Sequence, residues 1–196
     1  MLLIYYSSKI KIEKKYYKYH CIIIYKTKKG LIMSDNSPIY FFGQNNRNGY
    51  MSNFYESYFV DEEENKFNCS EQYFMYRKCK RFDNNNTRLL NAILDETNPS
   101  VIKKYGRAVK NYDDDIWNNE RYDVMVEALR LKFNQNEDIK KQLIETKPRI
   151  LYEASPYDKI WGIGFCYKDA IRQDERNFGQ NLLGKALMQI RDELFE

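Results

Sequence analysis

Cys69-Ser70-Glu71-Gln72-Tyr73-Phe74-Met75-Tyr76-Arg77-Lys78 is the stretch on which the reading of this chain turns. No Gly or Pro interrupts it, and Ser70 is a residue type favoured at helix starts, so it predicts a helix from Glu71 to about Lys80 capped by Ser70. Glu71 and Lys78 then lie two turns apart on one face, roughly 10.5 Å along the axis. Aromatic residues fill much of the remainder. A carboxylate and an ammonium on one face fit a polar site at the edge of a core. They also fit a solvated stripe opposite a buried face, and the segment alone fits the stripe better.

Helical patterns dominate downstream of this point. After the polar break Asn84-Asn85-Asn86, a helix is predicted near 87–95, and Pro99 opens the next at its first position behind Asn98. The acidic run Asp113-Asp114-Asp115 suits the positive end of a long helix over about 116–134. Trp117, Arg121, Met125, Leu129 and Phe133 recur there at four-residue steps, and Val124, Ala128 and Leu131 widen the apolar face. A shorter helix near 137–146, a strand at Ile150-Leu151-Tyr152 and a last helix over about 182–195 complete this part. Upstream, Ile39-Tyr40-Phe41-Phe42 reads as a strand, and residues 43–53 as a loop ending at Ser52-Asn53-Phe54. Tyr58-Phe59-Val60 and Lys66-Phe67 read as a hairpin around the acidic run 61–64. The fold class that follows is α+β, mostly α, with a small β element.

A length of 196 residues suits one domain with a sizeable core. No apolar run approaches the roughly 20 residues of a membrane span, and Met1-Leu2-Leu3-Ile4 is too short for a signal peptide. Cys21, Cys69, Cys79 and Cys166 form no CxxC pair and no metal-ligand spacing. They read as buried free thiols of a reducing compartment, so a cytoplasmic location is expected, with no metal and no cofactor. His20 is the sole histidine, which excludes histidine-based triads and histidine-rich zinc sites from the body of the chain. Acid–base chemistry there must use carboxylates, lysine, tyrosine or cysteine.

Charge divides the chain. Residues 1–33 carry eight lysines against Glu13, a balance of +7, whereas the whole chain is +4, leaving about −3 for residues 34–196. The body is therefore no broadly basic nucleic-acid binder, and only the N-terminal arm attracts phosphates, weakly and without sequence preference. The arm, residues 1–33, reads as an extension that is either a hairpin or disordered. Residues 34–196, opening with the polar linker Ser34-Asp35-Asn36-Ser37-Pro38, form the main domain.

Several further pieces are ordered along the chain: Ser52-Asn53-Phe54, Trp117 with Arg121, and Ala128-Leu129 with Lys132-Phe133. Glu153-Ala154-Ser155-Pro156, Asp158 and Trp161-Gly162-Ile163-Gly164 follow, then Gly179-Gln180-Asn181-Leu182-Leu183-Gly184, Leu187-Met188 and Arg191. In this order and spacing, over roughly residues 39–194, the chain resembles the YbiA-like family, also called NADAR. The resemblance implies a single multihelical YbiA-like domain and N-glycosidase activity. That activity cleaves the bond between a ribose-type C1 and a base nitrogen. Its substrates in the family are phosphoribosylated riboflavin-pathway intermediates or ADP-ribosylated guanine. A small ribosyl-base or ADP-ribosyl partner is thus expected, and no membrane.

Glu71 matches the family glutamate of the pattern S-E-x-Y-F-x-x-x-K, and Lys78 matches its lysine. The resemblance makes Glu71 and Asp158 the expected catalytic carboxylates. Asn53, Lys78, Arg121, Glu153, Trp161 and Gly162 are the expected substrate-binding residues. Each has a plainer reading. Glu71 suits the helix dipole, Lys78 a surface, Asn53 a loop and Arg121 an internal ion pair. Ser155-Pro156 signals a turn, so Glu153, Asp158 and Trp161 are expected on a loop over a pocket. Asp158 also suits a plain turn and Trp161 a core plug, while Gly162 admits close backbone approach. Trp117 and Phe54 read as core, and Gly179 and Asn181 as the start of the last helix. The rivals to an enzyme are a non-catalytic ADP-ribose or NAD binding module, and a protein-interaction domain that uses the Trp161 loop.

Overall fold

The computed structural model describes residues 11–17, 20–27 and 30–195, with side chains from residue 36 onward. Strands β1 (Lys11–Tyr17), β2 (His20–Thr27) and β3 (Gly30–Asp35) pair as an antiparallel meander, from Lys11 opposite Lys26 to Thr27 opposite Gly30. β3 runs through Ser34 and Asp35, which the sequence placed in a linker. The expected turn at Lys28-Lys29 lies outside the described residues.

The main body is helical, as its periodicity predicts. Helices α1 (Ser70–Phe82), α2 (Thr87–Asp95), α3 (Pro99–Arg107), α4 (Asp114–Asn134) and α5 (Glu137–Ile144) follow in order. The short α6 (Tyr167–Ala170) and the final α7 (Leu182–Phe195) complete the set. Strand β4 (Ile39–Phe41) pairs in parallel with β7 (Leu151–Glu153), and β5 (Phe59–Val60) forms a hairpin with β6 (Lys66–Phe67). Because β4 and β7 flank the whole run from α1 to α5, their pairing brings the two ends of the body together.

Caps explain most of the helix starts. Asn86 accepts from Leu89 N, Asn98 from Ser100 N behind Pro99, and Asp113 from Ile116 N. The expected Ser70 cap is corrected. Ser70 is the first helical residue, its Oγ is buried and unpaired among the described residues, and Cys69 takes the cap position without a side-chain bond. The backbone N–H of Glu71 instead reaches the carbonyl of Asn53 at 3.0 Å. A neighbouring loop does the work of a cap.

The core lies between α1, α4 and α7. Tyr73 and Phe74 of α1, Met125, Leu129 and Phe133 of α4, and Leu183, Leu187 and Ile190 of α7 are all buried. Trp117 is also core, against Phe74 and Phe82. Phe54 is not: it is only half-buried and stays outside the core cluster. Gln72 ties α2 to α1, because its buried amide donates to the carbonyls of Ile93, Leu94 and Glu96 at 2.8–3.0 Å. Those carbonyls lie at the α2 C-terminus, where no intrahelical partner remains. Cys69 and Cys79 are buried free thiols, while Cys166 is partly exposed and donates to Asp169 Oδ2 at 3.1 Å. No helix among the described residues is long and apolar enough to cross a membrane.

α7 meets β7 through Gly184. A Cβ at this position would sit 2.2 Å from the carbonyl oxygen of Leu151, which is backbone and cannot yield. In an exposed helix interior a Gly→Ala change gains about 1 kcal/mol. Here the sign reverses, and Gly184→Ala is expected to destabilise by about 1–3 kcal/mol in thermal unfolding. An unchanged or raised Tm would contradict this packing.

Candidate functional site

Glu71 enters the protein at the first turn of α1, where a negative charge suits the helix dipole. It is nonetheless 5 % exposed. Burial pushes its carboxyl up to about 7; Lys103, Arg107 and Lys78 pull it back down, and Asp158 raises it further. Lys78 lies on its own helix, Lys103 and Arg107 on α3, and Asp158 on the loop after β7. Lys78 is half-buried, and its Nζ sits 3.9 Å from the centroid of the Tyr112 ring. Desolvation lowers the Lys78 pKa, against the charges of Asp114 and Glu71.

Glu153 is the last residue of β7, so the expectation that it sits on a loop is corrected. Its main chain is fixed on both sides. The N–H donates to Asn181 Oδ1 at 3.0 Å, and the carbonyl accepts from Ile163 N at 2.9 Å. Its Oε2 is sealed from solvent and has no hydrogen-bond partner among the described residues. Burial raises its carboxyl to about 8; Asp158 and Glu71 add to the shift and Lys103 opposes it. The charge of Asp158 thus bears on both Glu71 and Glu153, and that of Glu71 on Glu153.

Asp158 carries a structural bond as well. Its Oδ1 accepts from the N–H of Ile160 and of Trp161, both at 2.8 Å, which closes a turn. Trp161 is partly buried and meets the Phe74 ring edge-on at 5.3 Å. Gly162 is required for close approach: a Cβ there would lie 2.9 Å from the Glu153 carbonyl and 3.0 Å from that of Asp158. The start of α7 locks this loop, with Leu183 N on the Trp161 carbonyl and Asn181 N on that of Gly162.

Asn53 joins the group through its carbonyl bond to Glu71, and its Oδ1 is buried and unpaired among the described residues. The loop carrying it is held by Lys132 of α4. Lys132 is fully buried, and its Nζ donates to the carbonyls of Tyr50 at 2.7 Å and Ser52 at 3.1 Å. Desolvation lowers its pKa to about 7. The Nε of Arg121 is buried and unpaired among the described residues, and its charge acts on Tyr112, the ring beside Lys78.

Of the expected residues, Asn53, Glu71, Lys78, Glu153, Asp158, Trp161 and Gly162 thus come together from three separate stretches, and Arg121 is linked to them through Tyr112 beside Lys78. Sequence reasoning missed two cations. Lys103 and Arg107 are exposed, and neither forms an ion pair among the described residues. Lys103 Nζ also lies 5.9 Å from the Phe54 ring. Their i, i+4 spacing on α3 puts them on one face, which was the available signal. Gly106 between them lets α3 approach α1, since a Cβ there would overlap Met75. Buried polar atoms without partners are rare in folded proteins. Asn53, Arg121 and Glu153 each have one. Such an arrangement can hold a polar, anionic ligand and offer it carboxyl groups near neutrality.

Comparison with known proteins identifies the family and the fold. The NADAR domain family model matches residues 40–195. The chain is 39% identical over 140 residues to N-glycosidase R617 of Acanthamoeba polyphaga mimivirus, covering 71% of this chain and 81% of that protein. It is 30% identical over 159 residues to riboflavin biosynthesis protein VVA0006 of Vibrio vulnificus, covering 81% of this chain but 39% of that protein. The structure of the Escherichia coli protein YbiA superposes with a TM-score of 0.67 at 27% identity, covering 82% of this chain and 86% of that one. Sequence and fold agree that the chain belongs to the NADAR domain family, as a YbiA-like member of it.

Proposed function

We propose that the site hydrolyses the N-ribosidic bond of a phosphorylated riboside. The observation that carries this reading is the buried Glu71 carboxyl, on which the charges of Lys103, Arg107 and Lys78 and that of Asp158 all act. Loss of a base from ribose leaves positive charge spread over C1 and the ring oxygen. A desolvated carboxylate beside C1 stabilises that charge far better than one in water. It also accepts a proton from the water that adds to C1. Asp158 assists electrostatically, its Oδ1 already held by two N–H groups. Lys78, Lys103 and Arg107 take the phosphate, Asn53 and Arg121 supply donors, and Trp161 with Gly162 shapes the wall for the base.

Relatives named N-glycosidases support the reaction class. The riboflavin names of other relatives support a phosphoribosylamino-pyrimidine as substrate. A second reading is hydrolysis of ADP-ribosylated guanine on nucleic acid. The +7 charge balance of residues 1–33 favours it, since such an arm adds weak, salt-sensitive affinity for a polyanion.

Base release from ribosyl-base phosphates and from ADP-ribosylated guanine nucleotides, followed by mass, tests the proposal and selects between substrates. Glu71→Gln is expected to lower kcat by about 100-fold or more. Retention within about tenfold would contradict the role of Glu71. The carboxylate is the active form, so activity should climb as pH rises through about 7. Lys103→Ala and Arg107→Ala should raise KM severalfold with kcat little changed. They should leave turnover of the unphosphorylated riboside unaffected; an equal effect on both substrates would remove the phosphate from that face.

A further inference from the structure

Cleavage of an N-ribosidic bond needs a second group, because the base departs poorly unless its nitrogen gains a proton. We propose that Glu153 is that donor, its carboxylic acid facing the departing base from the end of β7. The inference rests on the hydrolase reading above and adds a catalytic role to a residue so far assigned only to binding.

Three observations support it. First, Glu153 Oε2 is sealed from solvent and unpaired among the described residues, so its bonding capacity is unspent inside the site. Second, its backbone is clamped by Asn181 Oδ1 and Ile163 N, which fixes where the side chain starts. Asn181 in turn donates from Nδ2 to the Leu151 carbonyl at 2.8 Å and adopts φ +52°, so the whole strand end is registered against α7. Third, the surrounding charges keep a proton on it. Glu71 of α1 and Asp158 of the loop disfavour its ionisation, Lys103 of α3 opposes them, and Asn181, just before α7, is neutral. Burial and two neighbouring carboxylates raise the Glu153 carboxyl against one opposing cation, Lys103, whereas Lys103, Arg107 and Lys78 all favour the ionised form of Glu71, so the charges around the pair favour the proton on Glu153. Paired carboxyls whose surroundings separate them in this way divide the acid and base roles.

The step balances. The C1–N bond breaks with its electron pair on the base nitrogen, which takes the Glu153 proton. Water forms the C1–O bond and passes its proton to the Glu71 carboxylate. The products are the protonated base and the hydroxylated sugar phosphate, and proton exchange with solvent resets both carboxyls.

The test compares the full chain with Glu71→Gln, Glu153→Gln and Glu153→Asp. Base release from ribosyl-base phosphates is measured between pH 5 and 10, with leaving bases of differing acidity. Glu153→Gln should lower kcat by about 100- to 1,000-fold and abolish the alkaline fall near pH 8. A more acidic leaving base should recover much of the loss. Glu153→Asp keeps an acid, so it should retain the alkaline fall at reduced kcat, and it decides the matter if Glu153→Gln does not fold. Glu153→Gln within about threefold of wild type while Glu71→Gln is inactive overturns this inference alone. Absence of the alkaline fall in both wild type and Glu153→Asp also overturns it alone. No base release by the wild type overturns the hydrolase reading and this one together.

Discussion

The Lys132 ammonium lies wholly inside the protein on α4, donating to the carbonyls of Tyr50 and Ser52. Burying a cation is unfavourable unless hydrogen bonds replace its water, and here two carbonyls of one loop do so. The Tyr55 and Phe133 rings, 5.5 and 5.3 Å away, add electron-rich faces. The loop is fixed as a result, and its next residue, Asn53, receives the N–H of Glu71. One buried charge in the core thereby sets the height of the carboxylate at the helix start. The Asn181 amide performs the equivalent task opposite, registering β7 and Glu153 against α7.

Between these two anchors the protein holds carboxyls that it would fold better without. Glu71 rises from 4.5 in the unfolded chain to about 7 in the folded one. The folded state therefore favours the protonated form. Stability is fully present below about pH 4.5 and is lost as pH rises through 7. A shift of this size corresponds to on the order of 3 kcal/mol at alkaline pH. Glu153 acts in the same direction. Such a cost is characteristic of sites where chemistry, rather than packing, fixes residue identity.

Much of the architecture was legible because it is local. Asn98 before Pro99, the acids at 113–115 and the four-residue apolar steps of α4 are signals contained within one element, and the structure follows them. Ser70 misled for a related reason: a good capping residue was present, but the helix begins one residue earlier, so Ser70 lies within its first turn and a loop carbonyl from residue 53 takes the orphan N–H of Glu71. Glu71 and Lys78 were legible as a pair on one helix face. Lys103 and Arg107 were not singled out, and Lys132 was noted without its role, since these depend on α3 meeting α1 over Gly106 and on α4 passing beneath a loop 80 residues earlier. Glu153 was expected on a loop because Ser155-Pro156 signals a turn, yet its pairing with Phe41 across the body makes it a strand end. Contacts of that range leave no mark in periodicity.

The account stands on a desolvated carboxyl at the start of α1, and that state is directly measurable. A carbon-13 carboxyl NMR titration of the protein, assigned through Glu71→Gln and Glu153→Gln, reads the two groups separately. Midpoints near 7 for Glu71 and near 8 for Glu153 are predicted. Midpoints near 4.5 for both would show solvated, ordinary carboxylates and contradict the account.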